Sequence, residues 1–237
     1  GPVIAQRLRE LYTEPVYGLG ILPSSDEGGI YTLNAARSFR TFVDHVDNLI
    51  VFDNDAWRVS GESLQTGYEK INEEIARRLG VLFGAGEASE GLVPEMVVDA
   101  SEVINTLASG GVTTIGYASS RVERPSRKLF GGKRRAPDTN EAVNRVTTTV
   151  RRATLGRLTL PANVRSTERA LVVVSGPPEY LNRKGIEDGR KWLEETTGTM
   201  EVRGGDYPVA DSEFVSALVV LSGVTDIPRL KELQQVA

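Results

Sequence analysis

NLIVFD, residues 48–53, is followed at once by Asn54 and Asp55. A short apolar run closed by polar residues reads as a buried strand. VYGLGIL at 16–22 reads the same way, and between the two lie the turn-rich PSSDEGG at 23–29 and a helical pattern over residues 31–46. Strand, helix, strand is the rhythm of a parallel sheet with crossover helices.

Upstream, PVIAQRLRELY is expected as a helix with Pro2 in its first turn, ending before Pro15. A chain that opens on a helix with no initiator Met is expected to start inside a larger fold. Downstream, SLQTGYEKINEEIARRLGVLF after Gly61 has Leu64, Tyr68, Ile71, Ile75 and Leu79 near one helical face, the pattern of a long linking helix. GAGEASEGLVPE then breaks the pattern. Its glutamates would repel phosphate and it matches neither common phosphate-binding glycine motif, so it reads as a loop.

The second half is expected to be a mixed four-stranded sheet with helices. Its parts are a helix from Ser101, the strand VTTIGYA, a loop, the helix EAVNRVTTTVRRAT and the strand RALVVVSG. A helix opened by Pro177 and Pro178 follows, then the strands TMEVRGGDYPV and EFVSALVVLSGV. The fold class is α/β followed by α+β, with expected parts 1–60, a central helix and connection over 61–96, and 97–237.

With 237 residues and 40% hydrophobic content the chain has an ordinary globular composition. Zero Cys and one His exclude disulfides, Cys nucleophiles and Cys/His zinc sites. His45, in an amphipathic helical pattern, reads as a surface or half-buried helix position rather than a triad member. ALVVV at 170–174 and ALVVL at 217–221 are too short to cross a bilayer, and no charged leader precedes an apolar block, so a cytoplasmic address is expected. A formal charge of −4 gives no reason to expect nucleic-acid binding. Residues 121–135 nevertheless hold seven Arg or Lys against one Glu, so an acidic body carries one basic loop.

In VVDASEVINTL, residues 97–107, Asp99 and Glu102 stand three apart where an apolar run becomes helical. By itself this is the pattern of a capping box, in which an N-cap side chain and a Glu three residues later satisfy orphan N–H groups. It is also a pair of carboxylates able to orient or deprotonate water.

DND at 53–55, GYEKINEEI at 67–75 and VVDASEV at 97–103, in this order and with LGILPSSDEGG upstream, resemble the tubulin and FtsZ superfamily, most of all the archaeal CetZ proteins. The similarity runs on through GPPEYLNRKGIE, MEVRGGDYP and SGVTDIPRLKELQQV. The resemblance implies a guanine nucleotide, GTP or GDP, with Mg2+ possible in the full-length protein. It assigns Asn54, expected in a loop after the strand, and Asn72 to the guanine edge, Tyr68 to stacking on the base, and Glu27 to a place near the ribose. Tyr31 stands where the family carries a basic residue, and the GGGTGSG phosphate-binding signature does not occur, so half a base pocket and no triphosphate site are expected.

In this family an acidic pair projects from the bottom of one subunit into the nucleotide site of the next. The resemblance therefore gives Asp99 and Glu102 the water-positioning role in hydrolysis across a head-to-tail contact, with Glu102 expected to be the more exposed and more catalytic. The alternative is a polymerising scaffold or regulatory protein with little hydrolysis of its own. Expected partners are further copies of the chain, with the basic loop at 121–135 in lateral contacts or against an anionic surface.

Overall fold

The computed structural model describes residues 1–58, 64–84, 94, 96–122 and 137–236. The basic loop, beyond Arg121 and Val122, and almost all of the glycine-rich connection lie outside them. Helix α1 (Pro2–Leu11), strand β1 (Tyr17–Leu22), helix α2 (Gly29–Asp44), strand β2 (Asn48–Asp53), the short helix α3 (Asn54–Trp57) and the long helix α4 (Leu64–Gly84) come first. Helix α5 (Ala100–Leu107), strand β3 (Val112–Arg121), helix α6 (Thr139–Leu155), strand β4 (Arg169–Gly176), helix α7 (Arg183–Thr197), strands β5 (Val202–Pro208) and β6 (Phe214–Ser222) and helix α8 (Pro228–Val236) follow.

The expected strands form, with the parallel pair β1–β2 in the first half and a mixed four-stranded arrangement in the second. All six join in one sheet of order β1-β2-β3-β6-β4-β5. The seam is the parallel register Leu49↔Val112 and Ile50↔Thr113. Asn48 locks it: its buried Nδ2 lies 3.0 Å from the Leu107 and Gly110 carbonyl oxygens and 2.9 Å from Ser222 Oγ, joining β2 to the α5–β3 turn and to β6.

Two expectations change. Pro177 and Pro178 open only a single 3-10 turn, Pro178–Tyr180, because the chain is extended again at Leu181 (φ −89, ψ 91). Asn182 is the true N-cap of α7, its Oδ1 accepting from Gly185 N at 2.8 Å. Asn54 lies not in a loop but in α3, which Asp53 caps by accepting from Asp55 N at 3.2 Å.

Each strand sends alternate residues to opposite faces. Ala170, Val172 and Val174 of β4 join a core with α2, α6, α7 and α8, while Leu171 and Val173 meet Leu82 of α4 and Val103 and Leu107 of α5. This is why β4 reads as an unbroken apolar run. Burying one such Val or Leu stabilises by roughly 1.5–3 kcal/mol, against about 0–1 for an exposed ion pair, so apolar packing holds the three layers together.

Candidate functional site

At the C-terminal end of β2 the chain turns into α3, and Asn54 is buried at 6% exposure with its Oδ1 lacking a hydrogen-bond partner among the described residues. Its surroundings are fixed from several sides. The Trp57 indole donates to the Leu158 carbonyl at 3.2 Å, and the Arg78 and Arg157 guanidiniums lie 4.5 and 5.2 Å from its ring centroid. Arg78, 2% exposed, is itself paired with Glu74 one turn earlier. Asp55 accepts from Ser25 N at 2.9 Å, Ser25 Oγ at 2.7 Å and Ser24 Oγ at 3.0 Å, which ties the 23–29 loop to α3. Burial works to raise the Asp55 carboxyl, and these serine bonds outweigh it and hold the group below its usual range.

Tyr68 packs with Phe52, Trp57, Ile71 and Ile75 where α4 passes α3. Burial first, and then the neighbouring Glu27 carboxylate, push its phenol above its usual value, so it remains protonated at neutral pH. Glu27 accepts from Ser24 N at 2.7 Å, within a capping box on the 3-10 turn Ser25–Glu27. The structure thus brings Glu27 beside Tyr68, while Asn72 is exposed one turn further along α4. A cation does stand at this end: Arg58, just after α3, pairs with Asp26 at 2.9 Å and lies beside the Tyr68 phenol. Sequence reading missed it because no spacing rule connects Arg58 with residue 26.

The acidic tip is built on β5. Met96 N donates to Asp206 Oδ1 at 2.6 Å, and Asp206 N donates to the Met96 carbonyl at 2.9 Å, so Val97 runs parallel to the end of β5. Gly205 permits this approach, since a Cβ there would stand 2.2 Å from the Met96 oxygen. Paired glycines inside a strand, as in VRGGDYP, are the signal that could have revealed it.

Asp99 then caps α5. Its Oδ1 accepts from Glu102 N at 3.1 Å and from Ser101 Oγ at 2.5 Å. These bonds, the Ser101 one foremost, hold its carboxyl below the usual range, so it is ionised at neutral pH. The expectation about exposure is reversed: Asp99 is exposed, while Glu102 is half-buried and turned aside to Arg203, whose Nη1 donates to Oε2 at 3.1 Å. A guanidinium across the sheet edge competes successfully for the carboxylate that a capping box would use. Among the described residues no cluster of three or more His, Cys, Asp or Glu could hold a metal ion, and no helix is long and apolar enough to cross a membrane.

A sheet running from a parallel half into a mixed half, with a long helix and an acidic helix cap beside the seam, defines a chain of the tubulin and FtsZ fold class. A family model described as "Tubulin-like CetZ, C-terminal domain" matches residues 61–237, and the chain belongs to that tubulin-like family. Tubulin-like protein CetZ3 of Haloferax volcanii is 66% identical over 241 residues, with all of this chain and 62% of that protein covered. The structure of CetZ1 from Haloferax volcanii as a GDP-bound monomer superposes with a TM-score of 0.86 at 61% identity, covering 100% of this chain and 63% of that one. CetZ2 from the same organism, solved as a GTPγS-bound protofilament, gives 0.84 at 44% identity, covering 99% and 63%. The chain therefore spans less than two-thirds of the length of these relatives.

Proposed function

We propose that this chain acts within a GTP-binding, filament-forming cytoskeletal protein serving cell shape or division. One end of the chain contributes to a guanine pocket, and the other presents Asp99 and Glu102 to the nucleotide of the next subunit. The base end fits the ligand. The unpartnered, buried Asn54 Oδ1 is an acceptor of the kind that a guanine edge, with its ring N–H and amino donors, satisfies. Tyr68, half-buried beside α3, offers an aromatic face, and Asn72 a further amide. Relatives with GDP bound and in a GTPγS-bound protofilament support both the ligand and self-association.

The observation that carries hydrolysis is the state of Asp99. It is exposed and ionised, and the Ser101 Oγ and Glu102 N bonds both go to Oδ1, so the carboxylate is held by its own helix with Oδ2 outside those two bonds. A carboxylate so held can orient water for in-line attack and accept its proton, work that phosphoryl transfer asks chiefly as positioning and electrostatics. The activity then belongs to the contact between two copies.

Asp99→Asn separates capping from chemistry, because Asn caps a helix as well as Asp does. In the full-length protein this variant should bind GTP and assemble, with phosphate release per filament subunit lowered by on the order of 100-fold. Release at the unaltered rate would show that Asp99 only caps. A second reading, a scaffold that assembles without hydrolysis, draws on the Glu102–Arg203 pair, which neutralises half of the acidic tip; assembly without phosphate release in the unaltered protein would select it.

A further inference from the structure

Arg203 is explained by neither the base pocket nor the helix cap. Its Nη1 lies 3.1 Å from Glu102 Oε2, with both side chains 33% exposed. Strand β5 anchors it: Arg203 is in register with Leu171 of β4, and since Val202 joins the core on the α7 side, the two-residue period turns Arg203 to the face covered by α5. Among the described residues its buried Nε–H makes no hydrogen bond, and its ion pair is the one with Glu102. A groove of about 680 Å3, lined among others by Met96, Arg190 and Glu201, borders the pair.

The tip carries two like charges three residues apart, and a nucleoside triphosphate is itself a polyanion. Charges of one sign brought together out of water repel strongly, which would drive a bare carboxylate pair away from the phosphates it is to meet. A planar guanidinium suits a carboxylate and keeps its charge throughout the physiological range.

We infer that Arg203 is a charge-compensating positioning residue. It fixes Glu102 in one orientation and cancels one of the tip's two negative charges, allowing the tip to dock against the phosphates of a guanine nucleotide on a second copy of the chain. This rests on the function proposed above and adds to it the group that makes the approach electrostatically feasible.

The test measures the critical concentration for GTP-dependent assembly of the full-length protein, by sedimentation at low and high salt, for Arg203→Ala, Arg203→Lys and Arg203→Ala combined with Glu102→Gln. Arg203→Ala should raise it on the order of tenfold at low salt, with the deficit shrinking as salt screens the repulsion. The lysine variant, which keeps the charge, should assemble close to normally. The double variant should recover assembly, because the charge needing compensation is gone. If Arg203→Ala assembles normally, or remains defective in the double variant and at high salt, Arg203 merely braces β5 against α5 and the inference is overturned. Failure of the hydrolysis reading is seen separately, as unaltered phosphate release by Asp99→Asn filaments.

Discussion

Arg229 Nε of α8 lies 3.6 Å from Oδ1 of Asp53, the last residue of β2. The same guanidinium donates to the Pro23 carbonyl at 3.1 Å, so the final helix grips both the strand end and the loop that surround Asn54. Asp53 is only 4% exposed, and burial pushes its carboxyl up to about 6 although Arg229 and the Asp55 amide pull the other way.

The sign of the resulting pH dependence follows from linkage. The unfolded group titrates near 3.8 and the folded one at about 6, so between these values the folded chain binds more proton and stability falls as pH rises. Keeping the ionised form buried costs about 3 kcal/mol at neutral pH. Asp53→Asn should therefore gain on the unaltered protein as pH climbs from 5 to 7.5, read as the difference between their urea-unfolding free energies. A difference that does not vary with pH would refute this account of Asp53.

Asn48→Leu should destabilise by roughly 2–4 kcal/mol, since it takes a buried donor away from the Leu107 and Gly110 carbonyls and from Ser222 and leaves none of the seam's side-chain bonds in its place. Chemical unfolding at constant m-value measures it. A loss under 1 kcal/mol would mean that apolar packing alone holds the seam.

Gly205→Ala puts a methyl group where the Met96 oxygen stands, 2.2 Å away, and should push residues 96–99 off β5. Phosphate release by the full-length protein should drop far more than affinity for a fluorescent guanine nucleotide, because the base end is built on other elements. Equal losses in both would point to general unfolding.

Asn54→Leu removes a buried acceptor that has no hydrogen-bond partner among the described residues. Unfolding of the free protein should be unchanged or slightly harder, while guanine nucleotide affinity falls about 10- to 100-fold, the value of one or two buried hydrogen bonds. Titration calorimetry gives the affinity; retained affinity would remove Asn54 from the base pocket.

Much of the fold is legible along the chain because its causes are local. The apolar run at 48–53 matches β2 end to end, and the period of Tyr68, Ile71, Ile75 and Leu79 matches the packed face of α4. Misreadings occur where two local signals compete. Proline at 177 and 178 suggests a helix start, yet Asn182 with glycine three residues on is the stronger one, since its amide oxygen satisfies an N–H that proline cannot. At the acidic tip, the D-x-x-E spacing is equally consistent with a box closed on itself and with what is found, a cap on one side and an ion pair on the other.

The sequence by itself determined the strands, most of the helices and the chemical types at the site, because hydrophobic period, capping and turn propensity act over a few residues. Only the tertiary structure decided that Glu102 faces Arg203, that Asp99 is the exposed carboxylate, that Arg58 pairs with Asp26 beside Tyr68, and that Asp206 grips Met96. Glu102 and Arg203 are 101 positions apart. No local rule spans that separation; the strand order of the sheet and the face to which β5 turns its side chains bring the two together.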